Sequence, residues 1–141
     1  MPSTEALKAL HTSLIDAEKG YQTAIADASD PQMKSIFRSL ETLHERAHSD
    51  IHEILVANGE SPDESGSFMA AIHKTVISVR SAVTGLDRSS LKSFADGEER
   101  IVEAYDKAIV ESAGAGNAPE ILRRHRQALV AAIADLKARA E

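Results

Sequence analysis

The chain has 141 residues, six histidines, no cysteine and a net charge of −6 at pH 7. That length supports a single domain over residues 1–141 with a core of its own. The lack of cysteine excludes disulfides and thiolate metal sites, the acidic balance argues against a nucleic-acid partner, and no apolar run approaches the ~20 residues of a membrane span. The N-terminus, MPSTEALKAL, has no basic stretch ahead of an apolar run. No signal peptide is therefore expected, and the expected location is cytoplasmic.

In chain order, the spacing of apolar residues predicts a first helix over 4–28, with Ser3 as its cap and DASDP as its end. A second helix begins at Pro31, a first-turn position, and stops near Asn58 and Gly59. GESPDESGS is turn chemistry. A shorter helix follows over 67–83 and ends at Thr84 and Gly85. The third long helix spans 87–112, AGAGNAP is a loop, and the fourth long helix covers 119–140. Strand-like alternation is absent. These elements predict an all-α fold: an antiparallel four-helix bundle whose short extra helix rides in the long crossover between the second and third long helices. A weak internal repeat agrees, since LIDAEKGYQTAIADA resembles SFADGEERIVEAYDKAIV with Glu18 matching Glu98. Two related hairpins would make one bundle.

Each side chain can be placed around its helix at roughly 100° per residue. In the third long helix the apolar stripe is Leu91, Phe94, Ala95, Ile101, Val102, Tyr105 and Ile109, and Glu98 falls near its middle. A carboxylate there is costly to bury alone. In the first helix Glu18 lies among Leu14, Tyr21 and Ile25. In the fourth, His125 sits near the centre of Ile121, Leu122, Leu129, Ala132 and Leu136. The second helix carries LETLHERAHSDIHEI, with His44, His48 and His52 spaced by four. Its stripe is Met33, Ile36, Phe37, Leu40, Ala47, Ile51 and Ile54. His44 falls inside this stripe, His48 and Glu41 at its edge, and Glu45 and His52 toward solvent, because four residues overshoot one turn.

Every long helix thus offers a metal-capable side chain to the interior. Glu41 and His44 have the E-x-x-H spacing that lets two neighbours on one face grip one ion, and Glu45 with His48 matches it too. The candidate metal ligands are Glu18, Glu41, His44, His48, Glu98 and His125, a carboxylate and imidazole set that suits iron, zinc or manganese. The competing reading is a hydrogen-bonded polar layer without metal. His73, on the flank of the short helix, reads as a ligand or partner contact, or as an anchor for the crossover. Arg123, Arg124 and Arg126 around His125 read as an anion site or a solvated face. No nucleophile triad, phosphate loop or nucleotide fingerprint is present, and GAGNAP lacks the strand and Lys that a phosphate loop needs.

IDAEKGY in the first helix, SPDESGS followed by FMAAIHK, and Asp96-Gly97-Glu98-Glu99 in the third resemble the bacterial family known as domain of unknown function 2383. That family is similar to ferritin and rubrerythrin in its four-helix architecture. The GS-x(5)-H segment from Gly66 to His73 carries the most specific part of the resemblance. This chain departs from the family at Lys74 and Val76, where Arg and a nearby Trp are common, and in its histidine-rich second helix. The resemblance implies a ferritin-like di-iron site built from Glu18, Glu41, His44 and Glu98. A second E-x-x-H would need Glu at 122, where Leu122 stands, so a reduced di-metal or mononuclear iron site is implied. The implied function is metal binding, with oxidase or stress-related chemistry. The alternative is a metal-free bundle serving protein interaction or stress response; a third is an enzyme acting on a small substrate in the bundle core. The outer faces are charged, without a broad apolar patch, so the expected state is a monomer or homodimer whose partner is a metal ion, not nucleic acid or membrane.

Overall fold

The computed structural model describes residues 4–62 and 90–140. These form four helices: α1 (Glu5–Asp27), α2 (Pro31–Ala57), α3 (Ser90–Glu111) and α4 (Ala118–Ala140). No strand occurs among the described residues. The short helix expected over 67–83, with His73, lies outside them.

Local chemistry accounts for most of the boundaries. Pro31 opens α2 where no backbone N–H is needed, and the Asp30 side chain accepts the Gln32 N–H at 2.9 Å. Asn58 closes that helix by donating its side-chain amide to Ile54 O at 2.7 Å, and Gly59 follows at φ +83°, a conformation that disfavours other residues. Between α3 and α4, Gly114 and Gly116 take φ +88° and +62°, which explains the two glycines of AGAGNAP. The start of α1 differs from the expectation. Thr4, not Ser3, occupies the cap position, and it makes no side-chain capping bond. Its hydroxyl donates instead to Glu60 Oε1 at 2.9 Å, while Lys8 Nζ lies 3.1 Å from Glu60 Oε2. The start of α1 is thereby tied to the chain just past the end of α2.

Contacts along α1 and α2 run in opposing order: Thr4 meets Glu60, His11 meets His52, Glu18 meets His48 and Tyr21 meets His44. The order opposes again between α3 and α4, where Arg126 binds Asp106 at 2.6 Å and Lys137 pairs with Glu99. The two closely packed pairs meet along α1 and α3, and more sparsely along α2 and α4. Phe94, near the start of α3, packs on Phe37, near the start of α2, with ring centroids 4.8 Å apart. The end of α2 and the start of α3 therefore stand at opposite ends of the bundle. Inside, Leu7, Leu10, Leu14, Ile51, Leu55, Leu91, Leu122 and Leu129 are buried to 2% exposure or less. None of the described helices is long and apolar enough to cross a membrane.

Two outcomes follow from these end contacts. Asp30→Ala leaves the α2 start without its cap, and urea or thermal unfolding should show a loss of about 1 kcal/mol, or about 3 °C in Tm. The Lys8 and Thr4 bonds hold the Glu60 carboxyl below its ordinary 4.5, so its contribution is present above that pH and fades as pH falls through the lower folded value. The Glu60 bond raises Lys8 above 10.5, so that contribution is present below 10.5 and fades as pH rises through the folded value. The stability gap between wild type and Glu60→Gln should be widest between those limits, with its size reduced by salt.

Candidate metal centre

Three histidines converge on the seam between α1 and α2. His11, His48 and His52 each place one ligand nitrogen within 4.8 Å of the other two. Among the described residues, no other group of three or more His, Asp or Glu side chains does so. His11 sits in the buried stripe of α1 between Leu10 and Leu14 and is 1% exposed. His48 and His52 stand one turn apart on α2 and are half-buried. His52 Nδ1 lies 3.4 Å from His11 Nε2. The His11 and His48 rings meet nearly edge to face, with centroids 4.7 Å apart and planes at 77°.

This donor set fits a metal ion. With metal–nitrogen bonds of about 2.0–2.1 Å, tetrahedral ligation sets ligand nitrogens roughly 3.4 Å apart. The His11 and His52 nitrogens already have that spacing. The His48 nitrogen lies within 4.8 Å of both. Imidazole is a good ligand for zinc, copper, iron and nickel.

Glu18 stands behind His48. Its Oε2 is 3.0 Å from His48 Nδ1, is buried, and closes no in-line hydrogen bond among the described residues. Burial pushes the Glu18 carboxyl upward and nearby Glu45 adds to the rise, while the facing His48 acts against both.

A second polar set lies deeper. Glu98 on α3 is 2% exposed and His44 on α2 is fully buried. Tyr21 on α1 donates its hydroxyl to Glu98 Oε1 at 2.6 Å. His44 Nε2 faces both carboxylate oxygens, at 2.9 and 2.8 Å. Burial, then the charge of Glu98, pushes the Tyr21 phenol well above its usual range, so it remains a donor. Tyr105 is raised by burial in the same way. Nδ1 of His44 is buried and has no hydrogen-bond partner among the described residues.

The six residues expected to share a metal are thus dispersed. Glu18 pairs with His48, and His44 with Glu98. His125 Nε2 binds Asp50 Oδ2 at 2.9 Å, on the α2–α4 side, with Tyr105 edge-on at 6.1 Å. Glu41 is half-buried on α2 and does not join His44 in a converging set among the described residues. Of the three spaced histidines, His44 is buried and His48 lies at the edge, as helical drift requires. His52 departs from the expectation: it turns against α1 rather than into solvent, because the stripe of α2 drifts toward a neighbouring helix. His11 is absent from the sequence-derived candidates. Its position seven residues before Glu18 puts both on one face of α1 and is the signal that could have found it.

The buried set should be expensive to break. Glu98→Gln and His44→Ala each remove one member of a desolvated pair and should cost roughly 3–5 kcal/mol in urea unfolding. Tyr21→Phe removes one hydrogen bond to a carboxylate and should cost about 1.5–3 kcal/mol.

No curated protein and no solved structure matches the chain. A family model, Domain of unknown function (DUF2383), matches residues 3–111. The match takes in α1, α2 and α3, with His11, Glu18, His44, His48, His52 and Glu98, and leaves α4 and His125 beyond it. With most of its length matched, the chain belongs to the family of domain of unknown function 2383.

Proposed function

We propose that this protein is a ferritin-like, antiparallel helical bundle that binds a transition-metal ion at the α1–α2 seam through His11, His48 and His52. The observation that carries this reading is the convergence of three ring nitrogens from two helices. Iron is the ion that the ferritin-like resemblance favours, and zinc is equally compatible with three imidazoles. Manganese prefers oxygen donors and suits this set less well. Redox or Lewis-acid chemistry, including an oxidase or stress-related role, would come from the bound ion. Glu98 and His44 are assigned a structural part, because the Glu98 oxygens are already occupied by Tyr21 and His44 and an ion there would have to break those bonds.

A metal-free interaction module is the second reading. Its support is that the inner set joins three helices through bonds between their own side chains, Tyr21, His44 and Glu98. Among the described residues, the large apolar side chains that are exposed, Val56, Val110 and Val130, lie on three different helices, which supports a monomer or small homodimer.

Elemental analysis of untagged protein, with titration of ferrous and zinc ions, separates the two readings. The metal reading expects one ion per chain. With free ion at a hundred times Kd, stabilisation should reach about 2.7 kcal/mol, or roughly 8 °C in Tm. His11→Ala and His52→Ala should abolish that shift, while His125→Ala retains it. No bound ion and an unmoved Tm would favour the interaction module. Retention of binding in both His11→Ala and His52→Ala would place the metal elsewhere.

A further inference from the structure

We propose that Glu18 is a positioning residue of this centre: its Oε2 accepts the Nδ1–H of His48 and so leaves the Nε2 lone pair of that ring to the metal ion. The inference rests on the metal reading above.

A neutral imidazole has one N–H and one lone pair, and a ligating ring spends its lone pair on the ion. The N–H at its other nitrogen then needs an acceptor, and that bond sets both the tautomer and the ring orientation. For His48 the structure places a carboxylate oxygen within reach. Glu18 Oε2 is 3.0 Å from Nδ1 and is buried, and it closes no in-line hydrogen bond with any described residue, so a small turn of the His48 ring is what would complete the bond. A buried acceptor without a donor is costly, and a ring nitrogen at hydrogen-bond distance is the means of satisfying it.

The geometry also separates Glu18 from the ligands. It follows His11 by seven residues, so its Cα lies about 10 Å further along α1. The three ring nitrogens converge without a Glu18 oxygen among them. The carboxylate therefore serves the ring rather than the ion. This differs from an inward carboxylate on the first helix that binds metal directly, and it gives His48 and Glu18 distinct tasks. His48 donates to the ion; Glu18 decides which of its nitrogens can do so.

Two measurements on the full chain test this. Long-range proton–nitrogen correlation spectra of metal-free protein, at a pH where the rings are neutral, report each histidine's tautomer. His48 should carry its proton on Nδ1 in wild type and in Glu18→Gln, which keeps an acceptor oxygen, and should become a mixture in Glu18→Ala. Zinc titration should show Kd weakened roughly 10–100-fold in Glu18→Ala and much less in Glu18→Gln. Cobalt(II) absorption bands should keep their position and intensity in both variants, because the ligands are unchanged. A merely structural role for Glu18 would lower Tm without moving tautomer or Kd. The proposal is overturned by an Nε2–H tautomer in wild type, by an unchanged zinc Kd in Glu18→Ala, or by cobalt bands that change as they do on losing a ligand. The last result would make Glu18 a ligand itself. Should wild type take up neither zinc nor cobalt, the metal reading fails and the inference with it; wild-type binding with Glu18→Ala unaffected refutes the inference alone.

Discussion

A single carboxylate, Glu98, constrains the arrangement of three helices. It is almost wholly buried, and an ionised group in such a place costs several kcal/mol unless its oxygens are bonded. Tyr21 comes from α1 and His44 from α2 to supply those bonds. Neither can shift by a turn without leaving a buried carboxyl oxygen unsatisfied, so the set discriminates between registers more than apolar packing alone would. Leucines in a stripe tolerate sliding; a hydrogen bond of 2.6 Å does not. The aromatic rings around it reinforce the choice, with Tyr21 stacked on Phe94 and near Phe37.

With that register set, the α1–α2 seam acquires its chemistry. His44 lies at the level of Tyr21, which leaves His48 opposite Glu18 and His52 opposite His11. Helical drift carries each successive histidine of α2 about 40° away from the centre of the core. The drift runs toward α1, and His11 meets it there. One interval in one helix thus yields three environments: a buried structural partner, a ring backed by a carboxylate, and a half-buried ring against another imidazole. The Thr4, Lys8 and Glu60 contacts close the same seam at its end. The tight α1–α2 pair is therefore held at both ends of the polar ladder.

His125 illustrates the limit of reading a helix by its own stripe. Its place among Ile121, Leu122 and Leu129 on α4 points inward, yet Asp50 of α2 takes it at the margin of the core. Periodicity gives an angle about one axis and no position along a neighbour's axis. Glu41 shows the same limit: its spacing to His44 is right for a shared ion, but the partner that His44 finds is Glu98 on α3.

The sequence by itself determined the four long helices and most of their ends, the start of α1 excepted, because Pro31, Asp30, Asn58-Gly59 and the glycines after α3 act through local backbone chemistry. It also determined that Glu98 and His44 face inward, since that depends only on the 3.6-residue repeat and the apolar residues around them. Which polar residues meet was decided by the tertiary structure. Convergence of His11 with His48 and His52 depends on how far α1 is displaced along α2, and that displacement is set by long-range bonds such as those joining Tyr21, His44 and Glu98. A stripe pattern is unchanged by sliding a helix one turn along its neighbour, whereas a cluster of ring nitrogens is destroyed by it.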